Sequence, residues 1–277
     1  MTGSDGMRAT VVTRSELLAL ADARRTPVRR YLQWAAENER LAATGEGTAS
    51  SLRMDCRSDI RDAAEAAELF PEHWWGVVVF TCFGSKLGTQ TVAPSFQHPR
   101  DAANAEAKLE EIEFPRGSVG HHRIQATLRG AKQALVAACA KHALFRSVLH
   151  DDEDFDARYR TLHDARVRQW GRTTCFDLLL RAGALGVGGK RCLPELAYLA
   201  GSTGPRKGFA AVFGVDPDQR RAAWAEAVLR EWAEHWQAVA ERVGAEWESE
   251  PLYPRDQENF LCVYQERLAR GVVRKAC

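Results

Sequence analysis

The chain has 277 residues, 45% of them hydrophobic and 27% charged, with a formal net charge of +1. That composition supports one large or two modest folded domains and excludes a disordered or polyanionic chain. No apolar run is long enough to span a bilayer without charge, and the opening segment lacks the apolar core of a secretory leader, so a cytoplasmic protein without membrane contact is expected.

Seven cysteines, scattered and without a CxxC pair, argue for free thiols and against a closely spaced tetrahedral metal site. No metal and no cofactor is expected. Charge is segmented along the chain. Between Trp170 and Gly214 six basic residues stand against two acidic ones, which suits phosphate contact.

In chain order, SELLALADARR and RDAAEAAELF repeat apolar residues at three- and four-residue spacing and predict helices. WWGVVVFTCFG, starting at Trp74, is apolar at nearly every position and fits either a buried strand or a buried helix, with Pro71-Glu72-His73 as a helix start. Glycine and proline place loops at 45–51, 84–99, 114–120, 183–190 and 201–205. RIQATLRGAKQALVAACAKHALF reads as helix. One strand cannot build a sheet, so the chain is expected to be all-α, with an N-terminal helical half over residues 1–115 and a C-terminal half over 116–277 packed as a single unit.

WGRTTCFDLLLRAG, from Trp170, is a helix with Asp177 inside an apolar surface. A buried carboxylate needs a partner, and Arg181, one turn later, is the nearest. GALGVGGKRCLPEL follows as a glycine-rich turn between helices and brings Lys190 and Arg191; it is similar to the GVGxK turn by which helix-hairpin-helix proteins hold a DNA phosphate. STGPRKG presents Arg206 and Lys207 in a second basic turn, and Asp216 before Pro217 reads as an N-cap. Trp224, Trp232 and Trp236 share one helical face as a core stripe, with His235 structural or exposed. In YPRDQENFLCVYQER, Asp256 fits an N-cap, but Glu258 and Asn259 have no such structural reason.

Taken together, WGRTTCFD and RDQENFLC resemble the two-part signature of the α-glutamyl/putrescinyl-thymine pyrophosphorylase family, which is roughly GR-x-x-x-[FY]-D followed by D-x-E-N-x-x-C-E. The matching residues are Gly171, Arg172, Phe176 and Asp177, then Asp256, Glu258, Asn259 and Cys262; Val263 stands where the pattern has an acidic residue. The resemblance implies a compact helical DNA-glycosylase-like, helix-hairpin-helix-like architecture. Without a fused kinase, the chain is similar to free-standing antiphage DNA glycosylases that remove glucosylated 5-hydroxymethylcytosine.

The implied activity is hydrolysis of the N-glycosyl bond in double-stranded phage DNA, leaving an abasic site. The modified nucleotide would leave the stack and enter a pocket between the helical halves. A fixed carboxylate, Asp256 first and Asp177 second, would stabilise the oxocarbenium-like sugar and orient water. Glu258, Asn259 and Arg172 would bind the base and its sugar. Lys190, Arg191, Arg206 and Lys207 would hold phosphates; attack by Lys190 on the sugar would instead add strand nicking. Two other readings stand beside this one. A transferase would exchange pyrophosphate for an amine on an activated hydroxymethyl-pyrimidine, and a non-catalytic helical DNA-binding defence subunit would need neither carboxylate.

Overall fold

The computed structural model describes residues 11–45, 52–53, 58–102, 104–120, 127–189, 191–218, 221–247 and 250–273. They form thirteen α-helices, with no strand among the described residues. In chain order these are α1 (Arg14–Ala23), α2 (Arg25–Thr44), α3 (Ser58–Ala67), α4 (His73–Phe83), α5 (Lys86–Val92), α6 (Ala105–Glu111) and α7 (Leu128–Ala140). The series continues with α8 (His142–His150), α9 (Phe155–Asp164), α10 (Arg172–Ala184), α11 (Gly204–Phe213), α12 (Ala222–Val243) and α13 (Pro254–Ala269). The all-α class expected from the periodicity is the one observed. No described helix is long and apolar enough to cross a membrane.

The helices fall into two compact units, Met1–Cys56 with Glu195–Cys277, and Arg57–Pro194. Residue 115, where the sequence reading divides the chain, lies inside the second unit, because α6 and α7 on either side of it pack together there.

The first unit is organised around aromatic residues. α2 buries Val28, Tyr31, Leu32 and Ala35, the three- and four-residue spacing of a single helical stripe. The Tyr31 ring meets Trp232 of α12 and Tyr264 of α13 edge-on, at 6.2 and 5.1 Å between centroids. Trp232 is fully buried, while Trp224 and Trp236 pack partly buried against the same core, so the tryptophan stripe is a packing surface. The helix bends at His235, whose φ of −123° and ψ of 25° leave the helical region. α11 and α13 approach at contact distance, because Gly204 and Gly208 sit one turn apart on the facing surface. A Cβ on Gly208 would lie 2.1 Å from the Leu261 carbonyl oxygen, and one on Gly204 would lie 2.4 Å from Cys262 Sγ.

In the second unit, α4 is the segment whose periodicity left strand and helix open. It is a helix buried on every side from Trp74 to Phe83, which explains its uniform apolarity. Each buried Phe or Val contributes on the order of 1.5–3 kcal/mol. The Trp75 indole donates to the Phe96 carbonyl at 2.9 Å and the Trp170 indole to the Ala134 carbonyl at 3.0 Å, so both rings are buried with their N–H groups satisfied. The segment 84–99, read as loop, contains α5, started by Ser85 accepting from the Gly88 N–H.

The glycine turn after α10 departs from the expected helix-hairpin-helix form. Gly186, Gly188 and Gly189 take positive φ, but no described residue from 191 to 203 is helical, and the next helix is α11. The turn instead folds the chain back on α10. The Cys192 N–H donates to the Gly183 carbonyl, and a Cβ at Gly183 would lie 1.7 Å from the Cys192 oxygen. Lys190, the first phosphate ligand expected of this turn, lies outside the described residues.

Candidate functional site

Among the described residues, the start of α13 holds the largest concentration of buried polar side chains. Asp256, Gln257, Glu258 and Asn259 are consecutive and all buried. Asp256 is not the cap: Tyr253 occupies that position in extended conformation, Pro254 begins the helix, and Asp256 falls in the first turn with only 2% of its surface exposed. A negative charge is favoured there by the helix dipole.

The partner is a residue that sequence reasoning missed. Arg53 places Nη1 3.7 Å from Asp256 Oδ2 and Nε 2.7 Å from Glu39 Oε2. The same guanidinium donates to the Glu250 carbonyl at 2.8 Å and the Pro251 carbonyl at 3.1 Å. One arginine thus joins α2, the segment before α13 and the Asp256 carboxylate, and compensates a charge whose burial is otherwise costly.

The neighbours of Asp256 are also fixed. Gln257 accepts from the Tyr31 hydroxyl at 3.2 Å, and Asn259 Nδ2 donates to the Leu52 carbonyl at 3.0 Å. Burial pushes the Tyr31 hydroxyl well above the usual tyrosine range, with Tyr264 and Asp256 adding to the effect. Glu258 lies one turn before half-buried Cys262, and Cys262 faces the first residues of α11.

Arg206 and Lys207 follow on α11, so the structure brings the second basic segment into the same helix pair as Asp256, Glu258 and Asn259. Lys207 is exposed, whereas Arg206 Nε pairs with Asp216 Oδ1 at 2.9 Å. Asp216 is therefore an ion-pair partner and not a helix cap, since α12 begins only at Ala222 after Arg221.

The second unit holds the other predicted carboxylate. Asp177 and Arg181 on α10 are each 2% exposed, and the expected pair is present but long, 3.9 Å from Nη2 to Oδ2. The closer partner is Asp59 of α3, whose Oδ2 receives Arg181 Nη2 at 2.8 Å and Nε at 3.1 Å. Thr81 accepts from Nη1 at 3.2 Å, and the guanidinium carbon stands 5.3 Å from the Phe80 ring centroid. Arg172 is the half-buried first residue of α10, and Arg191 is exposed.

A further buried acid escaped the sequence reading. Glu226 of α12 accepts the Ala197 and Leu199 N–H groups at 2.8 and 2.6 Å, holding the segment before α11. Its signal was available, a carboxylate within the apolar stripe of the tryptophan helix, like Asp177 in α10. Arg53 and Asp59 carry no such signal, because their partners are remote in sequence.

Among the described residues, Glu231, Glu234 and His235 are the grouping that brings possible metal-ligand atoms within 4.8 Å of one another. His235 Nε2 already lies 3.1 Å from Glu231 Oε1. The five described cysteines are free thiols, three of them buried; burial raises Cys82 well above the usual thiol range and Cys175 to about 12, which makes both poor nucleophiles. No family model, curated protein or solved structure matches the chain.

Proposed function

We propose that the chain is a monofunctional DNA glycosylase that excises a hypermodified pyrimidine, glucosylated 5-hydroxymethylcytosine foremost, from phage DNA as an antiviral defence. The observation that carries this reading is the buried Asp256, Glu258 and Asn259 at the start of α13, in positions that no helix cap requires. Arg53 fixes Asp256, and α11, which carries Arg206 and Lys207, packs on the same helix.

In this mechanism the target nucleotide leaves the stack. As the bond between C1′ and the base nitrogen lengthens, positive charge grows on the sugar and the Asp256 carboxylate offsets it. Asp256 also takes a proton from a water whose oxygen bonds to C1′, while the base departs with the electron pair of the broken bond. Glu258 and Asn259 hold the base and its appended sugar. Lys207 and Arg206 bind phosphates and give affinity that falls with salt. Asp177, which shares Arg181 with Asp59 inside the second unit, is the second candidate for the catalytic carboxylate.

The test incubates the protein with T-even phage DNA carrying glucosylated hydroxymethylcytosine and with unmodified DNA. Released base is followed by mass spectrometry and abasic sites by an aldehyde-reactive probe. Expected are free glucosylated base and abasic sites in the modified DNA alone, slowed about 10²–10⁴-fold by Asp256→Asn. Exchange of the pyrimidine substituent without abasic sites would assign the transferase reading instead, and binding of DNA without either change would make the chain a binding subunit.

A further inference from the structure

The unit Arg57–Pro194 contains a cavity of about 660 Å³ lined by none of the residues assigned above. α7 forms its floor through Leu128, Val136 and Ala137, while Leu109 of α6 and Val167, from the loop after α9, close the apolar sides. Five cations line the same space: Arg129 and Lys132 on α7, Lys141 just beyond it, and Arg166 and Arg168 on the loop. Among the described residues of the lining, the acidic ones are Glu106 and Glu110. Lys132 is largely enclosed, with Nζ 3.6 Å from Glu110 Oε1 and 5.1 Å from the Phe114 ring centroid. The other four cations are exposed, and no ion pair among the described residues neutralises them.

The loop that carries two of these arginines has an unusual backbone. Arg166 and Gln169 both adopt left-handed conformations, with φ of 46° and 67°. For residues with side chains this costs roughly 1–3 kcal/mol each, and it persists where surrounding contacts impose it. Here those contacts are explicit: Gln169 Nε2 donates to Gln133 Oε1 at 3.0 Å, and the next residue, Trp170, is anchored to the Ala134 carbonyl on the same helix. The protein thus holds a strained, arginine-bearing loop against the apolar face of α7.

We propose that this cavity binds a nucleoside phosphate. The base covers the apolar floor, the phosphate meets Arg166, Arg168 and Lys141, and Glu106 or Glu110 accepts from a base amino or sugar hydroxyl group. An apolar ligand would leave the cations without a partner, and a bare phosphate would leave most of the volume empty. The volume lies within the roughly 300–1,000 Å³ typical of small-ligand sites. Guanidinium groups match phosphate oxygens in pairs, which favours a phosphate over a diffuse anion. The nucleoside phosphate can be a free nucleotide or one nucleotide of a DNA strand.

Calorimetric titration of the full chain with dCTP, ATP, inorganic phosphate and a short single-stranded oligodeoxynucleotide, at fixed ionic strength, tests the proposal. At least one nucleotide binds, inorganic phosphate binds about tenfold more weakly or less, and both Arg168→Glu and Val136→Trp weaken the nucleotide about tenfold or more. Ala140→Trp, at the exposed rim, is a second filling variant should Val136→Trp disturb folding. Competition by the oligonucleotide, lost in the same variants, identifies the strand as the source; absence of competition identifies the free nucleotide. The proposal is overturned by no nucleotide binding up to about 5 mM, by phosphate binding as tightly as nucleotide, or by folded filling variants that leave binding unchanged. Base release from phage DNA is a separate readout, so failure here leaves the assignment of Asp256 standing.

Discussion

Replacing Arg181 by Met tests the buried ionic network of the second unit most directly. Methionine fills much of the volume of the arginine stem but leaves Asp59 and Asp177 without the cation that now lies 2.8 and 3.9 Å from their oxygens. Removing one partner of a buried ion pair costs about 3–5 kcal/mol, mostly because the charge left behind is desolvated. At roughly 2–4 °C per kcal/mol for a chain of this size, the melting midpoint should fall by about 6–20 °C. The companion variant Asp59→Asn supplies the control. Placed in the Arg181→Met background it removes one of the two exposed penalties, so it should restore on the order of half the loss; alone, it should destabilise. Urea unfolding of the two single variants and the double variant gives the coupling energy, expected at about 1–3 kcal/mol. A loss below about 1 kcal/mol for Arg181→Met, or additive losses in the double variant, would show that Arg181 is not balancing these carboxylates.

Three other outcomes follow from the geometry. Gly208→Ala places a methyl 2.1 Å from the Leu261 oxygen, so α11 and α13 must part by about 1 Å to restore van der Waals contact; base release should fall about 100-fold with helicity retained, as expected for a displacement of that size, and wild-type activity would refute the assignment of the site to this helix pair. Glu226→Ala leaves the Ala197 and Leu199 N–H groups without their acceptor and should cost about 2–5 kcal/mol in urea unfolding; Glu226→Gln, which keeps one acceptor oxygen, should cost less. Stability should also fall in alkali. Burial raises Tyr159 and Tyr264 from 10.0 to about 12 and Tyr31 well above 10.0, so the folded state keeps protons that the unfolded chain releases. This stabilisation is complete below pH 10 and is lost as pH rises from 10 through about 12, which tyrosinate absorbance measured alongside circular dichroism would follow; tyrosines ionising near pH 10 before any unfolding would contradict it.

Periodicity identified the helical class, and spacing identified the buried face of α12, because both express a repeat of about 3.6 residues. α4 was ambiguous because a helix buried on all sides has no polar face to mark its period. α5 was hidden by Gly88 and two threonines, which lower helix propensity, and becomes visible only through the Ser85 cap. At the site, Asp256, Glu258 and Asn259 could be read as anomalous in sequence because three polar residues occupy positions that packing does not require. Arg53 could not, since its link to Asp256 depends on the fold of the chain and on no local pattern. Asp177–Arg181 was visible as a pair one turn apart, but Asp59, 122 residues from Arg181, holds the shorter bonds. Asp216 before Pro217 satisfied the sequence rule for a helix start, yet its geometry favours the nearby Arg206 guanidinium.

The division of the first unit between two segments on either side of Arg57–Pro194 sets an order for folding during synthesis. Tyr31 and the carboxamide it binds on Gln257 are 226 residues apart, which at ribosomal speeds corresponds to roughly 10–45 seconds. The apolar stripe of α2 emerges long before α12 and α13 exist to cover it, while every residue of the Arg57–Pro194 unit is made in that interval. α1 and α2 are thus synthesised before the Arg57–Pro194 unit but covered after it, which leaves Val28, Tyr31, Leu32 and Ala35 without their packing partners on the nascent chain until α12 and α13 appear.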